Sequence, residues 1–252
     1  MICHCTVCQT LTRSAFRTVI LNQEERRMSK IATFFPALSL GLSVGLSALA
    51  LPAGTEDADM RKEKLFPVGG GVGLTHFRVV MPGVLYRGGT EGPRADVDGP
   101  RGPLQNQSLQ ALCKAGFSQA VYAYRTGWRG TENVNCAGNS LQYDYRQWDN
   151  RAALKQAFIK LHEIITQGNG AMYVHCWYGL HASGFISATA LAQFCGPAGW
   201  DSRRAAEYWD SVIPPKIRYP KEHDQVANFV RFTDPELQIS VQDATRVCPR
   251  HN

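Results

Sequence analysis

The chain has 252 residues, 44% of them hydrophobic and 19% charged, with a formal net charge of +6. A chain of that length and apolar content can bury a full core, and its charged fraction excludes an intrinsically disordered protein. Residues 1–27 and Lys30 together carry three of the six net positive charges, so residues 51–252 keep only +3. That weak balance, without a Lys/Arg run, excludes a dedicated nucleic-acid binder.

In chain order, Cys3, His4, Cys5 and Cys8 come first. Zinc sites draw their ligands from two separated segments, and no second cluster follows, so no metal is assigned there. From Met28 the sequence reads MSKIATFFPALSLGLSVGLSALA. Lys30, a long apolar run and the small-x-small triplet Ala48-Leu49-Ala50 are the pattern of a signal peptide over residues 28–50. The apolar run is also near bilayer-spanning length, so a retained anchor is the alternative, and only then is a membrane a partner. Removal implies a periplasmic or secreted protein of residues 51–252. Residues 1–27 then read as an over-extended leader. Gln23-Glu24-Glu25 can be encoded by a purine-rich ribosome-binding sequence just upstream of Met28.

Residues 51–75, charged and then glycine-rich, predict a flexible segment. The run HFRVVMPGVLYRGG predicts two short strands around Pro82-Gly83, and residues 89–103 a loop. NQSLQALCKAG predicts a short helix stopped by Gly116, and FSQAVYAYR a buried strand. RTGWRGTENVNCAGN reads as a loop and SLQYDYRQW as a second strand. Leu154, Phe158, Leu161 and Ile165 recur at helical spacing, with Asp149 or Asn150 available as the N-cap. AMYVHC predicts a strand ending at Cys176, and GFISATALAQFCG a helix. DSRRAAEYWDSV and YPKEHDQVANFVRF predict two more helices, the second with Pro220 in its first turn. Alternation of this kind implies an α/β fold with a central, mostly parallel sheet flanked by helices.

Five cysteines follow Ala50: Cys113, Cys136, Cys176, Cys195 and Cys248. Export permits disulfides, and an odd count leaves one thiol over. Cys176 is the natural odd one, and four cysteines allow three connectivities. The preferred one joins Cys113 to Cys136 and Cys195 to Cys248. The alternative treats Cys113 and Cys195 as small buried apolar residues on helices.

Cys176 is placed where chemistry is expected. In an open α/β sheet, ligands sit beyond the carboxyl ends of the strands. A thiol there, before a helix start, meets unpaired amides that stabilise a thiolate and cradle phosphate oxygens. Gly179 lets the backbone turn inward, and Ser183 can donate to the sulfur as it leaves.

The stretch VHCWYGLHASG resembles the signature loop of cysteine-dependent protein-tyrosine and dual-specificity phosphatases, His-Cys-x-x-Gly-x-x-Arg-Ser/Thr-Gly. His175, Cys176, Gly179, Ser183 and Gly184 match, whereas Ala182 stands where the family has arginine. GVLYRGG and LCKAGFSQAVYAYR are similar to earlier family segments, so the resemblance covers residues 76 to about 195. It implies a phosphatase-like domain over residues 76–252 that needs no cofactor. Cys176 would be the nucleophile, Asp149 the general acid with Asp144 second, and Ser183 the group easing sulfur departure. Residues Trp177, Tyr178, Gly179, Leu180, His181, Ala182, Ser183 and Gly184 would bind phosphate. The substrate would be a phosphoester of a protein or small molecule.

The missing guanidinium would grip two phosphate oxygens at once. His181, Arg125 or Arg129 are the candidates to replace it. Hence a pseudophosphatase, binding an anionic ligand or partner without turnover, is the alternative to an active enzyme. A sulfur-transfer or redox cysteine is a third reading, with nothing outside the loop to support it.

Overall fold

The computed structural model describes residues 73–92, 102–124, 128, 130–214 and 216–249. The expected leader, signal peptide and most of the expected flexible segment lie outside the described residues, as do Arg125 and Arg129. β1 (Gly73–Leu74) pairs with β4 (Glu91–Gly92) in a minimal ribbon. The main sheet has six strands: β2 (Arg78–Met81), β3 (Leu85–Gly88), β5 (Phe117–Tyr122), β6 (Thr131–Cys136), β7 (Asn139–Tyr145) and β8 (Ala171–His175). Their spatial order is β2-β3-β8-β5-β7-β6. The four inner strands run parallel, and each edge strand is antiparallel to its neighbour. The architecture is therefore α/β, with a mixed, mostly parallel sheet flanked by helices.

Strand period two sorts the core onto the two faces of the sheet. Ala171 and Tyr173 of β8 join a cluster with Tyr122, Tyr143, Leu109 and Leu112. Met172, Val174 and Cys176 join the opposite cluster with Leu161, Ile186 and Trp209. All five residues of β8 are buried, as a central parallel strand covered on both faces requires. One face carries α1 (Asn106–Lys114). The other carries α2 (Arg151–Gln167), α3 (Ala182–Phe194), α4 (Ser202–Ser211), α5 (Pro220–Ala227) and α6 (Val241–Val247). Every residue of α3 is buried. It has no charged side chain, and its alanines, serines and glycine let neighbours approach closely.

Several expectations need correction. Thr131–Cys136, read as loop, is β6. As an edge strand it buries only Val134, so its sequence is polar and carries no apolar alternation. It returns into β7 through Gly138, at φ +82°. Gly73 and Leu74, read as flexible, form β1, and Glu91–Gly92 is a strand within the expected loop. The helix expected over residues 219–232 ends at Ala227, and the short α6 beyond it was not anticipated. Asn150, not Asp149, caps α2 by accepting from the Ala153 amide.

Both preferred disulfides are present, Cys113–Cys136 and Cys195–Cys248, and Cys176 is the free, buried thiol. The first staples α1 to edge strand β6, and the second joins the end of α3 to the end of α6. Non-reducing peptide mapping is expected to recover these two linked pairs with Cys176 alkylatable. Replacing Cys195 and Cys248 together by serine should lower the unfolding free energy by about 2–5 kcal/mol in urea titration.

Candidate functional site

The loop from Cys176 to Gly184 joins the end of β8 to the first turn of α3. Its carbonyls are held from outside. Trp177 O accepts from the amide and hydroxyl of Thr90, at 3.0 and 3.2 Å. Tyr178 O lies 2.7 Å from His76 Nδ1. Gly179 O accepts from Arg87 Nη1 at 3.3 Å, and Leu180 O from Trp209 Nε1 at 2.9 Å. A trans peptide sets each carbonyl antiparallel to the following amide, and no described peptide is cis. The amides of Tyr178, Leu180 and His181 therefore point away from those outside partners. The first intrahelical bond of α3 runs from Phe185 N to His181 O. The amides of Ala182, Ser183 and Gly184 precede it and lack intrahelical acceptors. Free amides at a helix start and in the turn before it are the kind of donors that can hold an oxyanion.

Two close approaches fix this shape. Gly179 adopts φ +77°, and a Cβ there would meet the Gly88 carbonyl carbon at 2.4 Å, so only glycine seats the loop on the end of β3. His76, the one non-glycine at positive φ (+47°) among the described residues, turns its ring toward Tyr178 O. Across the loop, Cys176 Sγ lies 3.4 Å from Ser183 Oγ, and both residues are buried.

His175 braces the loop from below and is fully buried. Tyr143 Oη accepts from the Leu104 amide at 2.9 Å and lies 2.8 Å from His175 Nε2. The phenol proton is thus free for Nε2, which leaves the ring proton on Nδ1, 3.3 Å from Cys176 O. The imidazole stacks against Tyr122 at 5.0 Å and Tyr173 at 5.9 Å between ring centroids. Burial pushes its pKa down to about 3, so it is a neutral positioning group.

The expected site residues divide clearly. Cys176, Ser183, Gly179 and Gly184 converge on the loop. Trp177 is turned to the sheet, its Nε1 donating to Tyr122 Oη at 2.9 Å, and its ring lies 4.4 Å from Tyr124. Leu180 contributes its backbone, and Ala182 is a buried methyl at the helix start. His181 is packed against Tyr219 at 4.6 Å and Trp148 at 4.7 Å, with Nε2 3.4 Å from Glu222. Burial lowers its pKa and outweighs the opposing pull of Glu222, so it is no strong cation near neutrality. Asp149 is exposed on the lip, accepting from Gln147 Nε2 at 2.6 Å. It lines a cavity of about 520 Å³ with Trp148, Arg151, Phe185 and Phe229. Asp144 is buried and paired with Arg146 at 3.3 Å.

Sequence reasoning missed His76, Arg87, Thr90, Trp209, Tyr219 and Glu222 as loop partners. Arg87 carried a signal: a charged residue at the centre of the apolar-bounded motif VLYRGG, which becomes a buried strand. Tyr219 is tied to the loop electrostatically. Its hydroxyl is pushed above its ordinary range by burial first, then by Cys176, Tyr124 and Glu222.

No protein-family model matches the chain, and no curated protein matches it significantly.

Because His175 titrates near 3 when folded and near 6.5 when exposed, the unfolded chain binds an extra proton between those values. Stability is expected to fall as pH drops through that window, by about 1.4 kcal/mol per pH unit from this group. Urea titrations from pH 7 to pH 4 should show a shallower loss in His175→Asn. Tyr143→Phe leaves the imidazole acceptor and the Leu104 amide unpaired and should lower stability at pH 7 by about 1–3 kcal/mol.

Proposed function

We propose that this is an exported cysteine-dependent phosphatase-like protein that takes a phosphoester, or another oxyanion, in the loop Cys176–Gly184. The observation that carries the reading is that four loop carbonyls take partners from outside the loop while Cys176 Sγ and Ser183 Oγ lie 3.4 Å apart across it. The mixed α/β sheet agrees with the dual-specificity phosphatase fold that the signature loop implies. The two disulfides support an oxidising compartment.

In this reading the Cys176 thiolate attacks phosphorus and the bond to the leaving oxygen breaks. The carboxylic acid of Asp149 gives that oxygen its proton. Water then attacks the phosphocysteine, the S–P bond breaks, and Ser183 donates a hydrogen bond to the departing sulfur. Asp149 is taken as the acid because it is exposed, whereas Asp144 is buried against Arg146.

A second reading is favoured by a specific observation. Ala182 offers no donor beyond its backbone, and burial holds His181 toward neutrality, so neither clamps a dianion in the transition state. The same loop then serves as a binding site without turnover.

Release of nitrophenol from 4-nitrophenyl phosphate separates the two. The phosphatase reading expects slow hydrolysis by the natural chain and none by Cys176→Ser. Ala182→Arg should raise the rate roughly a hundred- to a thousandfold, the usual effect of one preorganised oxyanion donor. A natural chain with no turnover, whose Cys176 is still protected from iodoacetamide by phosphate, establishes the binding reading instead.

A further inference from the structure

The position that lacks arginine is not the only route by which positive charge reaches this loop. Arg87, on β3, is fully buried. Its Nη1 touches Gly179 O in the middle of the loop, and a Cβ on Gly184, at the loop's end, would lie 2.7 Å from the same atom. The guanidinium therefore sits behind the loop, between its midpoint and its helical end. Arg87 Nε and Nη2 are buried with no hydrogen-bond partner, and among the described residues Arg87 makes no ion pair. The residue directly across the β2–β3 ladder is another arginine, Arg78. Guanidinium stays charged at any pH a protein experiences. A buried charge of this kind persists only where an opposite charge balances it.

We infer that Arg87 is the counter-charge for the anion held in the Cys176–Gly184 loop, taking over from behind the electrostatic part of the role that Ala182 cannot fill. This rests on the anion-binding loop of the proposed function and adds the group that makes it electropositive. Arg87 acts as a positioning residue. Its Nη1 polarises the Gly179 carbonyl, strengthening the Leu180 amide as a donor, while its charge offsets that of a phosphate oxyanion. It gives no bidentate grip from within the loop, so anion binding is supported more strongly than turnover.

The test measures thermal unfolding of the full chain with and without inorganic phosphate, and phosphate protection of Cys176 from iodoacetamide read on its own peptide. The natural chain should gain stability with phosphate by mass action. Arg87→Gln keeps a donor near Gly179 without the charge, and should weaken phosphate binding at least about tenfold. Arg87→Lys keeps the charge and should retain most of the phosphate effect. A merely structural role lowers the melting temperature of both variants but leaves the phosphate increment intact. The inference is overturned if folded Arg87→Gln shows the natural increment, or if the natural chain shows none. Should Arg87→Gln fail to fold, a folded Arg87→Lys that loses the increment overturns it, and one that keeps it supports it. Hydrolysis of 4-nitrophenyl phosphate is scored separately, so failure of turnover and failure of the Arg87 role remain distinguishable.

Discussion

The seating of the loop Cys176–Gly184 on the end of β3 is the contact from which the rest of this site follows. Gly179 approaches the Gly88 backbone so closely that no side chain fits between them. Cys176 N donates to Gly88 O at 3.2 Å, and Thr90 continues the pairing to Trp177 O. With the backbone pinned there, the carbonyls have partners outside the loop and the amides that follow them turn away from those partners. The parallel β3–β8 ladder makes this possible, because it brings both strands to their carboxyl ends at one level.

The thiol and the missing arginine belong to one local design. His181 sits at the helix start amid Trp148, Tyr219 and Glu222, a setting that is aromatic and acidic, and Ala182 beside it is fully buried. The buried cation, Arg87, lies instead beside Gly179 O and Gly184. On the proposed reading, such a loop holds an anion without gripping it during bond cleavage.

Much of this was legible in the sequence, for identifiable reasons. The central elements were readable because burial on both faces gives β8 a short apolar run and α3 a stretch without charged residues, and because Gly116 and Gly168 punctuate helix ends. An odd count and one chemically distinctive thiol set Cys176 apart, whereas the pairing of the other four was a choice among three connectivities that the structure bears out. β6 was hidden because an edge strand buries one side chain in six, leaving Thr131–Cys136 as polar as a loop. The loop's partners were hidden for another reason. His76, Arg87 and Trp209 reach it from positions far away in sequence, and hydrogen bonds to backbone leave no spacing pattern. Arg87 was visible only as an anomaly, a charge where a buried strand should be apolar.

The Cys195–Cys248 bridge has a consequence for how the molecule withstands damage. It closes a covalent ring of α4, α5 and α6 that begins where α3 ends. A protease cutting an exposed stretch of that ring, such as the one around Val230, opens the ring without releasing a fragment. Phe232, Leu237 and α6, which lie beyond such a cut, then stay tethered to the end of α3. The surface segments between the two cysteines can be nicked while the helix that follows the thiol loop keeps the elements packed on it.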